Sequence, residues 1–411
     1  MSVKAAFLVA LGFLGLAAVP VEAQFADQAP GQRFQIEPSH LARPYATDSA
    51  ANEPDVVARP AQPVFHLPPG FSVNEFAGGF ASPRWLAVAP NGDVFLTLPR
   101  EGKVMLLRDA DGDGRAELTT TFALGFVRPH GLAFQDGYLY VADVNRVWRL
   151  AWNASDTEAR TPPEPVTAAG VFGAPQGHWT RNIVFAPDGK HFTVTVGSAS
   201  NIGEDPPVRA TLQSFSAGGK DQQTLASGLR NAVGIAYRPG SDDLYVVVNE
   251  RDGLGDGLVP DYLTRIKPGG FYGWPYAYIG QHVQPDFPSR PDMVAKAIVP
   301  DLLFQAHSAP LGLAFYDGAM FPDEYRGDAF VALHGSWNAG KPTGYKIVRV
   351  PFKDGRPAGY YENFLTGFWT GGHQPAQVWG RPVDIVVAKD GSLLVSDDAS
   401  GTIWRISYKK Q

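Results

Sequence analysis

Three histidines sit beside apolar runs that end in turns: His130 in RPHGLAF, His178 in GHWTRNIVF and His334 in ALHGSW. Imidazole changes charge near neutrality, so a histidine in a cleft suits proton transfer. Arg230 and Asn231, adjacent in GLRNAVGIAY, and Arg381 in WGRPVDI offer a second chemistry. A planar guanidinium grips carboxylates and carbonyls with two parallel bonds, and an amide can support it. The segment 250–262 carries Glu250, Asp252, Asp256 and Asp261, hard oxygen donors of the kind calcium takes. Each feature has a plainer explanation: a loop-capping histidine, a buried structural arginine, a solvated acidic turn. DADGDGRAE (109–117) has the spacing of a calcium loop, but the twelfth place, where such a loop needs a bidentate glutamate, is Thr120. It reads first as an acidic turn between elements, with an accessory calcium as the minor alternative.

Other chemistries are missing. The chain has no cysteine, which excludes thiol catalysis, thiolate zinc, iron–sulfur clusters and haem attached through cysteine. No Walker loop, no G-x-G-x-x-G after a strand and no G-x-S-x-G occurs, so nucleotide cofactors held on such motifs and nucleophile-elbow hydrolysis are disfavoured. Net charge is −6, which speaks against nucleic acid as a partner.

The elements that must position these residues are hairpins. LAVAPNGDVFLT (86–97), LAFQDGYLYVAD (132–143), IVFAPDGKHFTVTV (183–196), IAYRPGSDDLYVVV (235–248), LAFYDGAMFPDEYRGDAFVAL (313–333) and IVVAKDGSLLVSD (385–397) each join two apolar strands by a glycine-containing turn. Asn-Gly and Asp-Gly suit two-residue hairpin turns because both central residues take positive φ. The copies recur roughly every 45 to 78 residues, and a hairpin repeat longer than about 40 residues marks a propeller. The expectation is an all-β, six-bladed β-propeller over residues 64–411. Long inter-blade insertions after residues 250 and 333 would build its ligand-binding face. Residues 1–23 read as a signal peptide: Lys4, an apolar run over 5–18, and Val21-Glu22-Ala23 ahead of Gln24. That implies a periplasmic or secreted protein with no membrane span in the mature chain. Residues 24–63, rich in Ala, Pro and Gln, read as a flexible linker or an arm lying on the body.

Five segments in order sharpen this: GHWTRNIVFAPDGKHFTVTVGSASN (177–201), GLRNAVGIAY (228–237), NERDGLGDGLVPDYLTRIKPGGFYGWPYA (249–277), GLAFYDGAMFPDEYRGDAFVALHGSWN (312–338) and GRPVDIVVAKDGSLLVSDDASGTIWRI (380–406). Over about residues 65–408 the chain resembles soluble sugar dehydrogenases that use pyrroloquinoline quinone (PQQ), and among them the sorbosone dehydrogenase-like branch.

The resemblance implies that His178 takes a proton from a sugar hydroxyl while hydride passes to PQQ. Arg230 would stabilise the reduced oxygen, and Asn231 would bond the quinone oxygens. Calcium would sit on backbone carbonyls near Asp252 and Gly253 as a Lewis acid. His130 stands where better-known members have a cofactor-contacting glutamine, His334 where they have a lysine, and Arg381 where they have an arginine pair. Gly177 replaces an acid that would orient the histidine. The aromatic run WTGGHQPAQVWGRP (369–382) is a candidate wall for the substrate cleft or, equally, an ordinary tryptophan-rich contact between blades. The substrate would be a sugar, an aldose or a sugar-derived aldehyde. Electrons would pass to a separate acceptor, since the chain carries no haem motif. Two other functions stay open: a calcium-dependent lactonase-type hydrolase, and a non-catalytic carbohydrate-binding propeller.

Overall fold

The computed structural model describes residues 26–410, so the leader expected over 1–23 lies outside the described residues. The described chain is all-β, built on six sheets of four or five strands, antiparallel but for one short parallel pair in the third, with three smaller sheets beside them. Each hairpin of the sequence supplies the first two strands of one sheet, and the following residues supply the rest, except for strands that earlier residues add to the fifth and sixth. The first sheet is Leu86–Val88, Val94–Leu98, Lys103–Arg108 and Leu118–Leu124. The second begins at Gly131–Gln135, the third at Ile183–Phe185, the fourth at Asn231–Tyr237 and the fifth at Pro310–Phe315. The sixth runs Pro382–Val387, Leu393–Asp397, Thr402–Tyr408 and is completed by Phe71–Gly78 from the start of the domain. Joining the two ends of a domain in one sheet leaves no terminal strand to fray.

The arrangement is propeller-like. The first strand of each sheet lies beside the first strand of the next, and that of the sixth returns beside that of the first. Two glycines let these inner strands approach closely. A Cβ at Gly234 would stand 2.5 Å from the Leu311 carbonyl, and one at Gly312 would stand 2.7 Å from Cα of Asp384. Between neighbouring sheets the faces are filled with Val, Leu, Ile and aromatic side chains that are nearly all fully buried.

Two segments take one of the alternatives their sequence left open. The described part of residues 24–63 is an ordered arm lying on the body, not a flexible linker. Arg33–Phe34 adds a strand to the fifth sheet, and Asp55–Val56 pairs with Gln377–Val378. Its composition offers no local periodicity; the order comes from partners more than 300 residues away in the chain. The insertion at 366–381 forms the short pair Trp369–Gly371 and Gln377–Val378. Trp369 and Trp379 point into the core, at 5% and 1% exposure, so they do not wall a cleft. No helix among the described residues is long and apolar enough to cross a membrane.

Candidate active site

Segments that lead into first strands, or leave second strands, meet at one end of the ring of sheets. They enclose a cavity of about 300 Å³. His178 reaches it from ahead of the third sheet and Arg230-Asn231 from the start of the fourth. His334 comes from beyond the second strand of the fifth sheet, Arg381 from ahead of the sixth, and Arg84 from ahead of the first.

The protonation of His178 follows from its neighbours. Ser198 Oγ donates its one proton to the Ser200 carbonyl at 2.6 Å, so it can only accept from the ring. His178 Nδ1, 2.9 Å from that oxygen and 3.1 Å from the Ser198 carbonyl, therefore carries the hydrogen. Nε2 is left with its lone pair free. Burial, reinforced by the Arg230 charge, lowers the imidazole pKa to about 3. The ring is a neutral base across the ordinary pH range. Gly177 is explained by the same corner: at φ +68° a Cβ would lie 2.2 Å from the Ala199 carbonyl. No acid fits there, and Ser198 does the orienting.

On one side of His178 the donors are spent. Arg230 gives Nε to the Asn201 carbonyl (3.0 Å), Nη1 to the carbonyls of Glu250 (2.7 Å) and Asn249 (3.3 Å), and Nη2 to Asn201 Oδ1 (2.9 Å) and Asp252 (3.3 Å). All five of its N–H groups have acceptors in the chain. The Asp252 carbonyl already accepts from Asn201 (3.0 Å) and Arg251 (3.0 Å), and Gly253 is not on the cavity wall. The carbonyl pair expected to hold calcium is therefore not aimed at the cavity as the loop stands. Three acidic residues line it: Asp252, Glu250 and Asp261. Burial raises Glu250 to about 8 and Asp261 to about 6. Burial also opposes the charge on Asp252, but His307, Arg230 and Asn338 outweigh it and hold that carboxyl below its usual value. Glu250 Oε1 and Asn231 Oδ1 are buried without a partner.

On the other side, donors are left over. Arg381 holds the carbonyls of His334 (3.2 Å) and Gly335 (3.0 Å) through Nε and Nη2, and its Nη1 has no partner. Arg84 donates Nη1 to Asp398 (2.8 Å), while its Nε is buried without a partner. His334 Nε2 lies 3.0 Å from the other Asp398 oxygen; burial, then the Arg381 charge, lowers this histidine to about 4, so it donates as a neutral ring. Arg84 was not read from the sequence, which shows a single arginine near 381. The second stands almost 300 residues earlier and is brought there by the ring of sheets. Its signal was positional: Arg84, Arg181, Arg230 and Arg381 each come one or two residues ahead of a first strand.

The profile of the family described as TrAA12-like matches residues 65–260 and 290–409. The chain belongs to that family. An uncharacterized protein of Borreliella burgdorferi is 30% identical, over 84% of this chain and 91% of its own. A pyrroloquinoline quinone-dependent pyranose dehydrogenase of Coprinopsis cinerea is 26% identical over 82% of this chain; the match spans 54% of that enzyme, about half its length. Among solved structures, the holo form of the PQQ domain of the Coprinopsis pyranose dehydrogenase superposes with TM-score 0.69 at 22% identity, covering 85% and 98% of the two chains. A calcium structure of the Trichoderma reesei family AA12 enzyme does so at 0.71 and 20%, with the same coverage. These likenesses speak for the fold.

For this TrAA12-like chain, His130 joins Gly253 as an expected site residue that is not on the cavity wall. It is fully buried behind it, between Trp85 and Trp179. Asn182 donates Nδ2 to the Val233 carbonyl and accepts His130 Nδ1–H at 2.6 Å, which leaves a bare, buried Nε2. Burial keeps the ring neutral. Residues not foreseen on the wall are Arg84, Trp179, His307, Trp337 and Asn338.

Proposed function

We propose that this chain is an exported quinoprotein dehydrogenase on a six-bladed propeller, oxidising a sugar, an aldose or a sugar-derived aldehyde with PQQ and calcium. The family, the pyranose dehydrogenase relative and the six hairpin sheets in cyclic order support it. The observation that carries it is the bare Nε2 of His178 in one cavity with the unspent cations of Arg84 and Arg381. A polyanionic quinone would satisfy that wall: Arg84 Nε and Arg381 Nη1 have donors to give its carboxylates, with His334 beside them. When bound, PQQ supplies the acceptor for a hydride.

The protein's own part is positional. His178 Nε2 accepts the proton of the substrate hydroxyl as the C–H bond gives up its hydride. Ser198 fixes the tautomer that makes this geometry available. Arg230, held by the loop, sets the local field and favours an oxygen that becomes negative. Calcium would be held on the opposite wall. Glu250 Oε1 is the carboxylate oxygen there without a partner, whereas Asp252 and Asp261 already accept from neighbours; use of the Asp252 carbonyl requires Asn201 and Arg251 to release it. Electrons leave to a separate acceptor.

The unpartnered Glu250 Oε1 and Asn231 Oδ1 favour one second reading, a lactonase-type hydrolase with a calcium held by side chains. One experiment separates the two. Purified protein is loaded with PQQ and calcium, then assayed for dye reduction on aldoses, ketoses and sugar-derived aldehydes including sorbosone. In parallel, quinone-free protein with calcium is assayed on lactones. Dye reduction that needs PQQ supports the dehydrogenase. Lactone hydrolysis without PQQ replaces it.

A further inference from the structure

Residues 41–57 lie ahead of the segment the family profile matches, which begins at residue 65. They run beside the loop 335–341, of which Gly335, Trp337 and Asn338 line the cavity, and tie three loops together. Asn52 donates its backbone N–H to the Trp337 carbonyl at 2.8 Å, and its side-chain amide to the carbonyls of Ala339 and His373, each at 2.9 Å. Thr47 Oγ1 accepts the Asp256 N–H at 2.8 Å, and the Asp256 carboxylate accepts the N–H groups of Gly340 (2.9 Å) and Lys341 (3.2 Å). The loop at 335–341 is thus held from the arm and from the acidic loop at once.

The residue so placed is Trp337. It lines the same cavity as His178 and is 47% exposed, whereas every other tryptophan is buried or half-buried. Among the described residues no ring or cation stacks on it. Trp179, the other indole on the wall, is different: Arg128 lies 4.2 Å and Arg84 5.6 Å from its ring centroid. An open indole face beside polar groups matches a pyranose, whose C–H face is apolar and whose rim is hydroxyls.

We infer that Trp337 is the platform on which the sugar ring stacks, and that Asn52 of the arm is the positioning residue that holds it at the cavity mouth. This rests on the sugar-oxidising reading and adds the subsite that selects ring sugars. Asn52 acts through Trp337 and touches no reacting atom.

The test uses the PQQ- and calcium-loaded protein with D-glucose and D-galactose as probes. It adds a titration of tryptophan fluorescence by the same sugars without quinone. Trp337→Ala is expected to raise KM at least tenfold for both sugars while kcat falls less than threefold, and Trp337→Phe to stay within threefold of the native KM. Asn52→Ala is expected to raise KM threefold or more in the same direction and to speed amide exchange over 335–341. Sugar quenching of fluorescence is expected in the native protein and is lost in Trp337→Ala. Native-like KM in Trp337→Ala of a protein that oxidises both sugars overturns the inference and leaves the enzymatic reading intact. A protein that oxidises no sugar sinks the enzymatic reading. Quenching that depends on Trp337 then still supports the platform, and its absence overturns that as well.

Discussion

The two walls of the cavity carry similar charges and use them differently. On the wall formed by Asn201 and the loop 249–261, every N–H of Arg230 meets an oxygen of the chain, and the Asp252 carbonyl is doubly engaged. On the wall formed by Arg84, His334 and Arg381, Asp398 accepts from two neighbours, and still Arg381 Nη1 and Arg84 Nε have nothing to bind. A satisfied arginine is part of the architecture. An arginine at a cavity with N–H groups left over can give them to an anion. The sequence, in which Arg230 stands in the tightest motif and Arg381 in a looser one, does not tell the arginine whose donors are spent from the one with donors left over.

Substitutions can break or sharpen that contrast. The largest effect on stability is expected from Arg230→Leu. It strands the carbonyls of Asn201, Asn249 and Glu250 and removes a buried partner of Asp252, which costs about 3–5 kcal/mol, readable by chemical denaturation. Arg381→Leu should cost less in stability and more in binding. Loss of a charge-assisted bond to a carboxylate is worth about 1.5–3 kcal/mol, so PQQ affinity followed by absorbance should fall roughly ten- to a hundredfold. Equal stability losses for the two arginines would erase the contrast between the walls. Ser198→Ala leaves Nδ1–H the Ser198 carbonyl alone and loosens the ring; a kcat lower by roughly tenfold is expected, with PQQ affinity unchanged.

The smallest effect is on pH dependence. The base must be neutral, and its pKa is lowered to about 3. Titration of His178 should therefore not lower activity as pH drops through the usual histidine range near 6.5, and an acid limb set by Asp261 or Glu250 should not move on Ser198→Ala. An acid limb of kcat/KM with a midpoint near 6.5 that moves on Ser198→Ala would show a solvated imidazole instead.

The fold was legible because a hairpin writes itself locally: two apolar runs and an Asn-Gly or Asp-Gly turn, six times over. His178, Arg230, Asn231, His334 and Arg381 were legible for the same reason, since each flanks such a strand. What was not legible depends on distant partners. Arg84 belongs beside Asp398 only once the ring of sheets brings the sixth against the first. The arm has no pattern of its own and is ordered by strands near residue 361 and residue 377. Trp369 and Trp379 looked like a cleft because aromatic composition does not say which way a ring points; the exposed indole is Trp337. His130 sits in a motif like that of His178, yet Trp85 and Trp179 cover it.

The central claim is that a bare His178 Nε2 and an unspent cationic wall serve one bound quinone. The most direct measurement is a parallel titration of PQQ, with calcium, into the native protein and His178→Ala, each followed by single-turnover bleaching of the bound quinone on addition of an oxidisable sugar. Similar quinone affinity is expected in both, with reduction slowed at least about a hundredfold in the variant. Equal reduction rates, or no quinone uptake by the native protein, would contradict the claim.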